Sequence, residues 1–153
     1  MLKKIFIIGS IVVLLLISLR FVYANIAANN NDDGFIFKLP NEAGYYDITT
    51  DQLKVRIDDK SDTNFIIVDI RDDASYDAGH IPGAINIPLN ELGYRVFGLD
   101  KTKDMIVYCF TGVTSQVACQ ILVNAGFKDV YNVIGGIKAW DYAIETSDGR
   151  VNI

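Results

Sequence analysis

Hydrophobic positions in this chain fall into three kinds of run, and each kind predicts a different element. Phe65–Val68 (FIIV) and Met105–Tyr108 (MIVY) are short, continuous and rich in β-branched side chains, and both end abruptly in polar or glycine-rich segments. Runs of that length fit central strands covered on both faces. Val130–Val133 (VYNV) reads as another strand. Elsewhere the period changes. Ala118, Ile121, Leu122 and Ala125 fall at i, i+3, i+4 and i+7, with Gln116, Gln120 and Asn124 opposite them. That spacing predicts an amphipathic helix, stopped by Gly126. Thr49 with Gln52 three residues on resembles a capping box, opening a helix through Leu53 and Ile57. Strands alternating with helices imply a small α/β domain on a mainly parallel sheet. Ligands of such sheets sit at the carboxyl ends of the strands, where Cys109 stands.

The third kind of run is different in scale. Ile5–Leu19 is an unbroken apolar or small-residue stretch of 15, preceded by Lys3 and Lys4 and followed by Arg20 and Val22-Tyr23-Ala24. Residues 1–24 therefore read as a secretory signal. Fifteen helical residues span about 22 Å, short of a hydrocarbon core of roughly 30 Å. The rival reading is an uncleaved anchor, a membrane tether through residues 5–24 with Arg20 at the outer interface. Either places the working domain outside the cytoplasm: periplasmic, secreted or anchored to the outer face of the membrane. Asn25–Gly34 (NIAANNNDDG) is too polar to bury a core and reads as a tether. The expected organisation is thus 1–24 signal or anchor, 25–44 linker and lead-in, 45–144 domain and 145–153 tail.

Composition narrows the function. The chain has 153 residues, with 14 Lys+Arg against 19 Asp+Glu. Lys3, Lys4 and Arg20 are the only charges of the first 24 residues, so a net −5 for the chain becomes −8 for the remainder. Nucleic acid, which requires clustered positive charge, is excluded as the main partner. Two Cys and one His cannot build a disulfide framework or a self-contained zinc site.

The chemistry concentrates at one loop. Cys109-Phe110-Thr111-Gly112-Val113-Thr114 turns the chain from a buried strand straight into the helix that Ser115 enters. Gly112 permits a backbone conformation that other residues avoid. Successive N–H groups of such a loop converge into an anion nest, reinforced by the positive end of the helix. A thiol at its centre is pushed toward thiolate, the nucleophilic form. The same cradle would hold a persulfide or a sulfur oxyanion, which gives a mechanism: the thiolate takes a sulfur atom, stores it and hands it on. Cys119, inside the helix beside inward-facing Ala118, reads as a small core residue too far along the helix for a disulfide with Cys109.

Three ordered motifs resemble the rhodanese homology domain, the thiosulfate sulfurtransferase family, over roughly residues 45–142. They are Val68-Asp69-Ile70-Arg71 followed by Gly79-His80-Ile81-Pro82-Gly83-Ala84-Ile85-Asn86-Ile87-Pro88, the loop Tyr108-Cys109 through Ser115, and Ile134-Gly135-Gly136-Ile137-Lys138-Ala139-Trp140. The resemblance implies a rhodanese-like fold, a five-stranded, mainly parallel sheet with helices on both faces. It implies sulfur transfer through a persulfide on Cys109, with no metal and no organic cofactor. The partners implied are a small sulfur donor (thiosulfate, polysulfide or persulfide) and a thiol or cyanide-like acceptor. Phe110, Thr111, Gly112, Val113, Thr114 and Ser115 would contact substrate, joined by Arg71 if its side chain turns inward. Asp69 and His80 are expected to give structural support, Asp69 by pairing with Arg71 or loop backbone and His80 by hydrogen bonds in a turn.

Two departures from the family pattern bear on substrate. Members active on thiosulfate commonly carry Arg or Lys in the loop, whereas Cys109–Ser115 has none. Losing a charge-assisted donor to that dianion costs on the order of 1.5–3 kcal/mol, roughly tenfold to a hundredfold in affinity. Polysulfide, sulfide-derived or protein-bound sulfur gains correspondingly. The second departure is Ser75, where the family often has Glu before the residue matching Tyr76. Other classes fare worse. A Cys-x5-Arg phosphatase or arsenate reductase needs Arg at the position of Ser115, and a dithiol oxidoreductase needs a second nearby Cys. A catalytically weak binding module on the same fold is the alternative. Trp140 with Gly135-Gly136 is expected to pack a closing turn, and Asp58-Asp59 and Asp72-Asp73 to be solvated.

Overall fold

The structure, a computed structural model, describes residues 40–152. The signal or anchor expected over residues 1–24 and the tether Asn25–Gly34 lie outside them. Among the described residues no helix is long and apolar enough to cross a membrane.

The three expected strands form the centre of a five-stranded sheet. In chain order the elements are β1 (Tyr46–Ile48), α1 (Thr50–Asp58), β2 (Phe65–Asp69), α2 (Asp73–Ala78), β3 (Ile85–Asn86), α3 (Leu89–Arg95), β4 (Asp104–Tyr108), α4 (Thr114–Asn124) and β5 (Val130–Val133). The sheet runs β1-β5-β4-β2-β3, and every pairing in it is parallel. Alternation along β4 explains the two cores. Met105 and Val107 face α4, packing with Ala118, Cys119 and Leu122 and with Leu92 of α3. Ile106 and Tyr108 face the other way, toward Leu53 of α1 and Trp140. Cys109, one residue past the strand, returns to the α4 side. Helices therefore cover both faces.

Local signals account for the helix ends. Thr49 Oγ1 accepts from the Gln52 N–H at 3.2 Å while Gln52 Oε1 accepts from the Thr49 N–H at 3.0 Å, completing the capping box. Gly126, at φ +91°, follows α4 as expected. The β2–β4 register pairs Asp69 with Tyr108, so both strands end level and bring Asp69, Arg71 and Cys109 to one edge.

Past the sheet, Glu145 closes a strand rather than opening a tail. Residues Ile144–Glu145 (β6) and Val151–Asn152 (β7) pair antiparallel. Reciprocal backbone bonds between His80 and Glu145, at 2.8 and 2.9 Å, tie this hairpin to the main domain.

Candidate active site

The loop after β4 owes its shape to the turn that follows β5. A 3₁₀ turn over Gly136–Ala139 presents backbone N–H groups with no partner of their own. Ile137 N–H donates to the Cys109 carbonyl at 3.0 Å, and Lys138 N–H donates to the Phe110 carbonyl at 2.9 Å. In a trans peptide the carbonyl and the next N–H point in opposite directions. Drawing the Phe110 carbonyl outward therefore aims the Thr111 N–H inward, at the sulfur. The fit is close on both sides. A Cβ on Gly112 (φ +80°) would come within 2.6 Å of the Val133 carbonyl oxygen. One on Gly136 (φ +57°) would overlap the Cys109 carbonyl and lie 2.7 Å from the Phe110 carbonyl. The Gly-Gly-x-x-x-Trp motif thus does more than pack a closing turn: it holds the loop open around its centre. Trp140 itself is buried, its indole N–H donating to the Ala143 carbonyl at 2.9 Å.

Cys109 occupies that centre. Its side chain accepts from the Gly112 N–H at 3.2 Å and lies 3.5 Å from Ser115 Oγ. Burial opposes its ionisation, but Ser115 and the backbone N–H groups of Ser115, Thr111 and Gly112 outweigh burial and hold the thiol below its ordinary value. Cys119 is the contrast. Burial, with the charges of Asp47 and Cys109 behind it, pushes that thiol far up and leaves it inert. Both cysteines are free.

A cleft of about 480 Å³ opens beside the sulfur, lined in part by Ile70, Arg71, Asp72, Ser75, Phe110 and Thr114. Cys109 forms part of its wall while only 5% exposed, so a reactant must enter the cleft to reach it. Phe110 is both wall and exposed surface, at 57%. Thr114 lines the cleft and is exposed, and Val113, immediately before α4, is exposed beside it in sequence. Ser115, by contrast, is fully buried.

Arg71 lines the cleft, yet its guanidinium is turned back onto Asp69. Arg71 Nε donates to both Asp69 oxygens at 3.0 Å, and Nη2 donates to Asp69 Oδ2 at 2.6 Å and to the Gly79 carbonyl at 2.7 Å. Asp69 also accepts from the Arg71 backbone N–H at 2.9 Å. Tyr108, whose phenol is pushed well up by burial and by the Asp69 charge, adds a hydrogen bond to the same carboxylate. The expected pairing of Asp69 with Arg71 is thus present, and Arg71 reaches the cleft wall with its charge shared with Asp69.

His80 does not reach the sulfur. It is buried, stacks on Tyr76 with ring centroids 3.8 Å apart, and places Nδ1 2.9 Å from the Tyr76 carbonyl. Sequence reasoning missed Asp72 and Ser75 as cleft residues. Asp72 is exposed as expected, but it caps α2 by accepting from the Ser75 N–H at 2.9 Å, and Ser75 Oγ donates to it at 2.9 Å. Asn132 was also missed, since a buried amide in an apolar strand carries no sequence mark of a partner 17 residues earlier. Among the described residues no group of three or more His, Cys, Asp or Glu is placed to hold a metal ion.

Comparison with known proteins agrees with this architecture. Residues 49–143 match the Rhodanese-like domain. Thiosulfate sulfurtransferase GlpE of Coxiella burnetii is 39% identical over 89 residues, 58% of this chain and 83% of its own. A sulfurtransferase of Allochromatium vinosum is 35% identical over 94 residues, covering 61% of this chain and 86% of that one. The crystal structure of a rhodanese-like domain protein from Staphylococcus aureus superposes with a TM-score of 0.60 at 32% identity, over 66% of this chain and 97% of the other. With the family match spanning strands β2 to β5, the cysteine loop and the closing turn together, the chain belongs to the rhodanese-like domain family.

Proposed function

We propose that the protein is a sulfurtransferase or sulfur carrier that works through Cys109. The Cys109 thiolate attacks the outer sulfur of a sulfane donor, and the donor's S–S bond breaks with its electron pair leaving on the departing fragment. The product, Cys109–S–S⁻, carries its charge on the outer sulfur. A nucleophilic acceptor, a thiolate or cyanide, then attacks that sulfur and returns Cys109 to thiolate, so neither oxidant nor reductant is consumed. The observation that carries this reading is the set of N–H groups from Thr111, Gly112 and Ser115 converging on one buried sulfur beside an open cleft. Relatives named as sulfurtransferases support it.

Donor preference follows from charge. No side chain of Cys109–Ser115 is basic, and the Arg71 guanidinium is held by Asp69. Backbone N–H groups suffice for a persulfide monoanion, whereas a dianion such as thiosulfate gains most from a fixed cation. Polysulfide or a persulfide is therefore the favoured donor, with thiosulfate a weaker one. Intact-mass measurement after exposure to polysulfide should show one added sulfur atom, discharged by cyanide and absent in Cys109→Ser. No gain from either donor would overturn the reading and leave a binding module on this fold.

Phe110→Arg tests the charge argument separately. Placing a guanidinium at the cleft mouth should raise thiosulfate loading roughly tenfold while leaving polysulfide loading within about twofold. Equal loading of the unaltered protein from both donors would refute the assigned preference.

A further inference from the structure

Behind Cys109, a chain of side-chain hydrogen bonds crosses the sheet to an exposed residue. Ser115 Oγ is 3.5 Å from Cys109 Sγ and 2.6 Å from Asn132 Oδ1. Asn132 Nδ2 donates to Asp47 Oδ1 at 3.0 Å. The path is laid down by strand register. β1 and β5 pair Asp47 directly opposite Asn132. Tyr46, Ile48, Tyr131 and Val133 face the α1 side, so Asp47 and Asn132 face α4, where Ser115 enters the helix.

Donor and acceptor roles along this path are fixed by chemistry. An ionised carboxylate accepts only, so the Asn132 amide must turn its NH₂ to Asp47 and its oxygen to Ser115. A serine hydroxyl has one proton and here two acceptors. Ser115 Oγ lies within donating reach of both, and the 2.6 Å contact to Asn132 Oδ1 takes the larger share of the proton from the 3.5 Å contact to Cys109 Sγ. When Cys109 ionises, the thiolate needs that same proton, and releasing it leaves a buried amide oxygen unmatched. Asn132 is buried away from solvent, whereas Asp47 is exposed.

We propose that Asp47 is a positioning residue for Cys109: by fixing the Asn132 amide it makes Asn132 Oδ1 compete with the sulfur for the Ser115 hydroxyl proton, weakening the Ser115 hydrogen bond to Cys109 and setting how readily the thiolate forms. The proposal rests on Cys109 being the reacting thiol. It assigns to an exposed strand residue, with no contact to the cleft, control over the nucleophile. The charged groups facing Cys109 from neighbouring elements are Arg71, held by Asp69, and Asp72, which caps α2. Neither touches this path.

Asp47→Asn frees the amide. Asn132 can then turn over, donating from Nδ2 to Ser115 Oγ and accepting from the amide introduced on β1, so the hydroxyl proton passes to the sulfur. Titration of thiolate absorbance near 240 nm reads Cys109 alone, because Cys119 stays protonated. Absorbance rises with pH through the Cys109 midpoint, which lies below that of a free thiol in the unaltered protein. Asp47→Asn should lower the midpoint by about one pH unit, giving about tenfold more thiolate well below it. Removing a negative charge through space would act in the same direction, so two further arms separate the causes. In a Ser115→Ala background Asp47→Asn should have almost no effect, since no hydroxyl remains to redirect. Between about 0.05 and 1 M salt the shift should persist, whereas the field of an exposed carboxylate is screened. An equal shift in both backgrounds, a shift abolished by salt, or no shift would each overturn the proposal. Failure to load sulfur with the titration as expected would instead reject Cys109 as sulfur carrier and leave the positioning role intact.

Discussion

Gly136→Ala is expected to destabilise the domain by roughly 2–4 kcal/mol and to blunt the reactivity of Cys109 at the same time. Two costs combine. A φ of +57° strains any residue with a Cβ, by about 1 kcal/mol. The added methyl would also overlap the Cys109 carbonyl and press on that of Phe110, both of which are backbone and cannot rotate away. Relief requires the 3₁₀ turn to retreat, stretching the bonds from Ile137 and Lys138 that aim the loop N–H groups at sulfur. Overpacking of this kind typically costs about 1–3 kcal/mol. Gly83→Ala is the control: its φ is +78°, yet a Cβ there meets nothing within 4 Å. It should cost only about 1 kcal/mol and leave the thiol midpoint unchanged. Urea denaturation with the 240 nm titration measures both. Equal losses at the two positions would show that φ alone matters.

Asp69→Ala should cost still more, roughly 3–5 kcal/mol. Asp69 is fully buried, and its carboxylate accepts from the backbone and guanidinium of Arg71 and from Tyr108. Without it, a largely buried guanidinium retains only the Gly79 carbonyl among these partners. The Tyr108 hydroxyl, which accepts from the Ile81 N–H at 3.1 Å, also loses the acceptor that orients it. The damage comes from a stranded charge rather than from a lost attraction. Asp69→Asn with Arg71→Met, which strands no charge, should therefore be more stable than Asp69→Ala by at least about 1 kcal/mol. Urea denaturation of the three proteins checks the order, and a double variant no better than the single one would contradict it.

The centre of the sheet was legible because burial on both faces leaves no choice of residue type. Phe65–Val68 and Met105–Tyr108 announce themselves by unbroken hydrophobicity, Val130–Val133 by three apolar positions around Asn132, and each is in the sheet. The extra residues at β2 and β4, Asp69 and Asp104, are polar groups whose partners lie elsewhere in the chain: Arg71 and Arg56. Edge strands were not legible. β3 has two residues and β1 three, too few to show a period, and neither is apolar along its whole length. The cysteine loop was legible from its glycine and its place between strand and helix. The Asp69–Arg71 pair was legible from its place at the strand end, but its further bonds to the Gly79 carbonyl and from Tyr108 were not, because those partners come from other segments. Asp47 and Asn132, 85 residues apart, become neighbours only through parallel register, which no local pattern encodes.

The carbonyls gripped by Ile137 and Lys138 make loop length a shared property of two distant segments. Lengthening the loop by one residue, to surround a bulkier tetrahedral anion, would slide at least one carbonyl out of reach of its donor. An insertion made after Cys109 alone should thus be poorly tolerated, whereas transplanting loop and closing turn together would keep the grip. Lineages moving this scaffold between sulfur and phosphorus chemistry would then have to change both segments in concert.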